Sequence, residues 1–440
     1  MNNNQYDVVI IGGGISGTAL LYLLSRYTDL SHIALVEKCA DIAALNSHGR
    51  NNSQTLHCGD IETNYTLEKA LQVKAAAEML VNYVDNVAGN DRILYKYPKM
   101  VLGVGTVECN ALRQRFETFK PHYPAMQLLD HNGIAPIEPN VVKQRSDEII
   151  ALAITDEYSA VNFQRLAQSF VEQAHKVEGK QVELKLNTRI GRIRQNSDAF
   201  ELDSTAGTLK ARFVVVSAGA HSLVFAQQVG YGNEYACLPT AGSFYYTPRL
   251  LNGKVYTVQN DKLPFAAIHG DPDILVENKT RFGPTALILP MLERYNYTTI
   301  PDFFKTFSLD RGVLKTLGGL FLEPVVRSYM LKNILFEVPL VRTRLFLKDA
   351  QKIIPSLRLE DLSFARHIGG IRPVMIDKHN GKLLLGEAKI NPGNGIIFNM
   401  TPSPGATSCL QNAEKDLHSI VEHLGCELDE SSLQRDLTQG

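Results

Sequence analysis

Two sets of side chains in this 440-residue chain are equipped for chemistry, and they lie far apart in sequence. The first is the glycine run Gly12, Gly13 and Gly14, with Gly17 three positions on, followed at a distance by Glu37 and Lys38. Gly12 suits a tight turn off a strand, Gly14 a close approach of backbone to a pyrophosphate, and Gly17 the packing of a helix on a sheet. Ser16 falls at the start of that helix, where phosphate charge is favoured. Glu37 stands where a carboxylate accepts hydrogen bonds from the ribose of an adenosine. The second set is His57, His269, Asp271, Arg281 and Arg372. An imidazole titrates near neutrality, so His269 can be neutral and then take up a proton. Asp271, two residues on, shares its strand face and can orient the ring or tune it. The guanidinium fork of Arg372 matches a carboxylate through two parallel bonds, with Pro373 stiffening the chain beside it. Arg281 offers a site for a second carboxylate. Each has a plainer alternative: a histidine packed in an apolar strand, an arginine at a domain junction, a surface salt bridge.

The elements that position these groups follow from pattern. Val8 to Ile11 form an apolar run, helical spacing follows Gly14, and Ile33 to Val36 repeat the apolar run before Glu37; this is strand, turn, helix, strand. Residues 46–59 are polar and rich in donors, including Arg50, Asn51, Ser53, Gln54 and His57, and are expected to lie against a ligand. Helical spacing marks residues 66–84, with Thr66 as cap, and residues 161–176. Residues 92–154 read as short strands and turns punctuated by Gly and Pro. A buried strand ends at Val216 and runs into Ser217-Ala218-Gly219-Ala220, small enough for a second approach of backbone to a cofactor. Residues 237–300 alternate as antiparallel sheet, with His269 and Asp271 in the run 263–273. Residues 303–335 are apolar at helical spacing, with Lys and Arg interspersed, and read either as internal helices or as a surface that rests on a membrane. The chain closes with a strand over 395–399, a Pro/Gly turn over 400–405 and a helix over 406–424.

Composition narrows the class. Hydrophobic residues at 44% and charged residues at 21% describe an ordinary globular protein. A formal net charge of -1 gives no basic excess, so no nucleic-acid partner is expected. The uncharged residues 8–25 resemble neither a signal peptide nor a membrane span, because glycines interrupt them and no Lys or Arg precedes them. The six cysteines show neither a pairing pattern nor C-x-x-C spacing, which points to free thiols, no metal and a cytoplasmic setting.

A family likeness is carried by Gly12 to Gly17 with Glu37, by segments 50–65 and 254–284, by Gly370-Ile371-Arg372-Pro373, and most specifically by Asn399-Met400-Thr401-Pro402-Ser403-Pro404-Gly405-Ala406-Thr407-Ser408. Over its whole length the chain resembles a shorter branch of the FAD-dependent malate:quinone oxidoreductases, within the glutathione-reductase-like and D-amino-acid-oxidase-like flavoproteins. The resemblance implies an α/β fold: a discontinuous Rossmann-type FAD-binding domain over 1–90, 156–235 and 372–440, and an antiparallel-sheet substrate domain over 91–155 and 236–371. It implies oxidation of L-malate to oxaloacetate, with electrons passed to a quinone by an enzyme peripheral on the inner face of the cytoplasmic membrane. His269 would be the base, Asp271 its partner, and Arg372 the carboxylate clamp, while His57 contacts flavin or substrate. FAD would be held by Gly12, Gly14, Ser16, Gly17, Glu37, Lys38, Arg50, Asn51, Ser53, Gln54, Ala218, Gly219, Ser403, Gly405, Ala406 and Thr407. The helix opening near Gly405 would aim its positive end at the flavin N1 and C2 carbonyl. Relatives on this scaffold oxidise L-2-hydroxyglutarate or lactate, which leaves the acid open. A flavin-binding protein without turnover, or an RNA-modifying flavoprotein, is a further class; His269 and Arg372 argue against the former and the balanced charge against the latter.

Overall fold

The structure, a computed structural model, describes residues 4–196, 199–259, 267–307, 310–384, 386, 388–401 and 404–439. Its first sheet is built on the two apolar runs at the N-terminus. Gln5–Ile11 lies at the centre, paired in parallel with His32–Val36 on one side and Gly207–Val216 on the other. Gln181–Lys185 and Ile396–Met400 extend it in parallel, and Ala388–Ile390 closes one edge antiparallel. Val8, Val9 and Ile10 are wholly buried because both faces of this sheet are covered, which explains a continuous rather than alternating apolar run. Helices Ile15–Tyr27, Phe163–His175 and Cys409–Leu424 pack on one face, around Leu20, Leu24, Phe170 and Leu417. The other face is covered by the hairpin Ile190–Gln195 and Phe200–Ser204 and by Ala226 of the helix His221–Gln228.

A second sheet runs in the order Ser363–Phe364, Tyr245–Pro248, Lys279–Gly283, His269–Pro272, Lys254–Thr257, Lys99–Val104, Ile149–Ile154, Gln127–Leu129. It is antiparallel throughout except where Lys254–Thr257 pairs in parallel with Lys99–Val104. A four-stranded antiparallel sheet joins the two regions, with Tyr235–Ala241 against Ile371–Asp377 and Thr240 opposite Arg372. The sequence breakpoints near 235 and 372 therefore fall at opposite ends of one strand pair.

The helix at 66–84 appears as Leu67–Tyr83, its Thr66 hydroxyl accepting from the Lys69 amide at 3.2 Å. The region 92–154 contains more than strands and turns: Thr106–Phe119 is a 14-residue helix. The region 303–335, apart from 308–309, which lie outside the described residues, forms Ile300–Thr306, Arg311–Leu322 and Pro324–Leu335.

Candidate active site

A cavity of about 450 Å³ lies along the C-terminal ends of the parallel strands and reaches the sheet that carries Arg372. Gly12 turns off the first strand at φ +111°, a conformation that L side chains avoid, and a Cβ there would sit 2.4 Å from the Ser217 carbonyl oxygen. A Cβ on Gly17 would lie 2.0 Å from the Gly12 carbonyl oxygen, so the helix rests directly on the turn. Gly12, Gly14 and Ser16 line the cavity, and the Ser16 hydroxyl lies 3.3 Å from that of Thr401. Glu37 is pinned at the cavity edge: its Oε2 accepts from the Gly13 amide and its Oε1 from the Cys39 amide, each at 2.7 Å. Each carboxylate oxygen keeps a second lone pair for a ligand hydroxyl. Lys38 also lines the cavity and is ion-paired with Glu293. Four further polar wall residues, Arg189, His221, Glu293 and Asp302, come from distant segments and carried no sequence signal. The His221 imidazole is lowered to about 4, first by burial and then by Lys38.

The polar loop has two sides. Asn51 and Ser53 line the cavity. Asn46 clamps the strand that carries Arg372, donating to the Ile371 carbonyl at 2.9 Å and accepting from its amide at 3.1 Å. The opposite side is tied to the second sheet by groups expected elsewhere. Gln54 is buried off the cavity wall and donates to Gly49 O and Asp273 Oδ1, both at 3.1 Å. Arg50 is exposed and does not line the cavity. Arg281 is wholly enclosed, donates to Gly49 O at 3.0 Å and stacks on Phe244, so it is not on the wall as a second carboxylate site. Lys254, equally enclosed, reaches the Thr55 hydroxyl at 3.2 Å.

From the opposite direction come Ala218 and Gly219, with Gly219 at φ +59°, and Gly405 and Ala406, all on the wall. Thr407 is buried beside it and accepts from the His57 amide at 3.2 Å. The closing helix starts at Cys409, three residues later than expected, because Pro404 to Ser408 form a turn first. Ser403 and residues 263–266 of the run before His269 lie outside the described residues.

The end of the cavity beyond this turn holds the candidate chemistry. Arg372 lines it, half-buried, and its guanidinium makes no hydrogen bond or ion pair among the described residues. Burial lowers its pKa, opposed by the phenols of Tyr256, Tyr329 and Tyr65; a guanidinium remains charged regardless. Thr55 and His57 also line the cavity. The Thr55 hydroxyl is 2.8 Å from the Tyr256 phenol oxygen, and the Tyr256 ring stacks on His269 with centroids 4.2 Å apart. The structure places neither His269 nor Asp271 on the wall. His269 is 2% exposed, its Nε2 lies 3.4 Å from Asp271, and Tyr256 stands opposite it across the strand pair. Asp271 lies 3.4 Å from Lys254. Its carboxyl, which burial would raise, is held well below the ordinary range by Lys254 and His269. Lys254 is lowered because burial outweighs its attraction to Asp271. The two residues thus belong to a buried charge cluster that backs the wall.

A model of the malate:quinone oxidoreductase family matches residues 4–413. A probable malate:quinone oxidoreductase of Campylobacter jejuni is 47% identical, covering 99% of this chain and 100% of its own. A malate:quinone oxidoreductase of Helicobacter pylori is 44% identical, covering 99% of this chain and 98% of its own. Among solved structures, the FAD-bound L-α-glycerophosphate oxidase of Mycoplasma pneumoniae superposes with TM-score 0.65 at 18% identity over 96% of each chain. Glycine oxidase of Geobacillus kaustophilus gives 0.64 at 16% identity, over 96% of this chain and 95% of that one. Both share the fold.

Proposed function

The chain belongs to the malate:quinone oxidoreductase family, and from that premise we propose that it is an FAD-dependent enzyme that oxidises L-malate to oxaloacetate and delivers the electrons to a membrane quinone. The observation that carries the reading is Arg372, an uncommitted guanidinium on the wall of a cavity whose opposite end is a glycine cradle. A half-buried cation without a partner is costly unless an anion completes it, and its fork fits a carboxylate.

The residues present fit FAD. The cradle at Gly12 has no room for a side chain, and Glu37 is fixed in place to receive ribose hydroxyls. In this reading the cofactor is held by Gly12, Gly14, Ser16, Glu37 and Lys38 at the adenosine end, and by Asn51, Ser53, Ala218, Gly219, Gly405 and Ala406 beyond it. Gly17 acts through packing. Gln54 and Thr407 support the wall from behind, and the Arg50 carbonyl accepts from the amide of Gly369 on the wall. Ser403 is assigned to the same turn from sequence. Bound there, FAD supplies the acceptor for the hydride that leaves C2 of the substrate. Arg372 holds the C1 carboxylate and thereby fixes the direction of the C2–H bond. Asp271 balances the buried Lys254, and His269 braces the ring of Tyr256. The division into an FAD domain over 1–90, 156–235 and 372–440 and a substrate domain over 91–155 and 236–371 follows the two large sheets.

The helices after residue 300 support a peripheral position on the inner face of the cytoplasmic membrane, where a lipid-soluble quinone is met. Leu314, Phe321, Leu322, Leu331 and Leu340 are all exposed there, with Lys315, Arg327, Lys332 and Arg344 beside them. No described helix is long and apolar enough to cross a membrane.

The experiment is Arg372→Met in the FAD-loaded protein, with flavin bleaching by L-malate recorded anaerobically. Hydrogen bonds to a charged group are worth about 1.5–3 kcal/mol each, so losing the fork raises the half-saturating malate concentration by about 100-fold or more. Unchanged malate dependence contradicts the clamp.

A further inference from the structure

We propose that His57, held by Glu62, is the proton acceptor of the oxidation; this rests on the reading that the substrate is a 2-hydroxy acid. His57 is a histidine on the cavity wall in the stretch that also carries Thr55, and its amide is tied to Thr407, next to Ala406 of the wall. Its Nδ1 lies 2.5 Å from Glu62 Oε1. Both side chains are largely enclosed, at 15% and 8% exposure, so the contact is little diluted by solvent.

Glu62 is held in turn. Arg115 donates to the carbonyl oxygens of Glu62 at 2.8 Å, Tyr65 at 3.1 Å and Gly59 at 3.4 Å, which staples the turn that presents the carboxylate. Burial opposes the charge on Glu62, but the hydrogen bond and charge of His57 and the charge of Lys99 together outweigh it and keep the carboxyl below its ordinary range. Thr55, His57 and Arg372 line the same cavity, and the Thr55 hydroxyl lies 2.8 Å from the phenol oxygen of Tyr256. His269, the other candidate, is enclosed behind that phenol.

A carboxylate on Nδ1 selects the tautomer with hydrogen on Nδ1 and the lone pair on Nε2. In the oxidation the substrate O–H bond breaks and its proton passes to His57 Nε2. The oxygen pair forms the C2 carbonyl as C2–H leaves as hydride, for which bound FAD would be the acceptor. The substrate loses two electrons and two hydrogens, one as a proton and one as hydride, and Glu62 stabilises the imidazolium until its proton reaches solvent. His57 is therefore catalytic and Glu62 a positioning residue.

The test compares wild type, His57→Gln, His57→Ala, Glu62→Gln and His269→Gln by FAD content, by malonate affinity read from the visible spectrum of bound flavin, and by the anaerobic rate of flavin reduction with L-malate. His57→Gln is expected to retain FAD and malonate binding while reduction slows by about 10²–10⁴-fold. Added imidazole restores rate to His57→Ala. Glu62→Gln slows by about 10- to 100-fold with FAD content unchanged, and imidazole does not rescue it. A wild-type rate in His57→Gln or in Glu62→Gln overturns the assignment, as does imidazole-rescuable loss in His269→Gln beside an active His57→Gln. If His57→Gln is isolated without FAD, Glu62→Gln decides alone by the same rate criterion. Failure of malate to bleach the wild-type flavin overturns the substrate reading instead, and is distinguishable because it precedes any substitution.

Discussion

Asp271 sits in a buried charge cluster with Lys254 and His269. It lies between Lys254 and His269 with no solvent contact, and opposite Arg281 across a strand pair. Its carboxyl is depressed below its ordinary 3.8, so the ionised form contributes stability that is complete above that value and is lost as pH falls through the lower folded one. Asp271→Leu leaves Lys254 buried beside an apolar group, and breaking one side of such a pair costs about 3–5 kcal/mol. A urea titration should show that loss at pH 7 and a smaller difference between variant and wild type below pH 3.8; equal midpoints at pH 7 would discount the cluster. The sequence indicated that His269 and Asp271 share a strand face, and they do. It did not indicate which face, because alternation along a strand is symmetric and only the packed sheet decides which side meets the cavity. Tyr256 was missed for the same reason, and Glu62 because it stands in an irregular turn that no strand or helix period announces. One signal was present: Lys254 in an otherwise apolar strand implied a buried acid nearby.

At the scale of elements, the strand, turn, helix and strand of the N-terminus were legible almost to the residue, since burial on both faces writes an unbroken apolar run. Gly17→Ala tests the packing. Its Cβ would overlap the Gly12 carbonyl, and overpacking of this kind costs about 1–3 kcal/mol. Because the displaced atom belongs to the cradle itself, the variant should purify with far less FAD than wild type, measured by visible absorbance per protein; full occupancy contradicts the packing role. The helix Thr106–Phe119 was illegible by comparison. It buries only Cys109, Leu112 and Phe119, too sparse a stripe to declare a period of 3.6 between Gly105 and Pro121. The closing helix starts late for a different reason: small residues 404–408 satisfy their bonds as a turn, which leaves Gly405 and Ala406 on the cavity wall.

The molecule as a whole joins a glycine turn at one end of the chain to Arg372 near the other, through strands Tyr235–Ala241 and Ile371–Asp377. That long-range pairing explains why the cofactor site is scattered over the sequence and why local pattern found its pieces without their arrangement. Its exposed apolar helices, with the turn that follows Leu335, belong to this scale too. Leu322 and Leu340 are 78% and 91% exposed, and each leucine buried in lipid contributes about 1.5–3 kcal/mol. The double change to Glu should lower binding to anionic vesicles by at least about 100-fold while flavin reduction by malate is kept; unchanged binding removes this face from the account. The most direct measurement is anaerobic mixing of the purified, FAD-loaded protein with L-malate, L-lactate or L-2-hydroxyglutarate, followed by a quinone analogue, with the flavin spectrum recorded throughout. L-Malate should bleach the flavin fast, the other two acids much more slowly, and the quinone should return the oxidised spectrum. A flavin that L-malate leaves oxidised while one of the other acids reduces it would contradict the central claim.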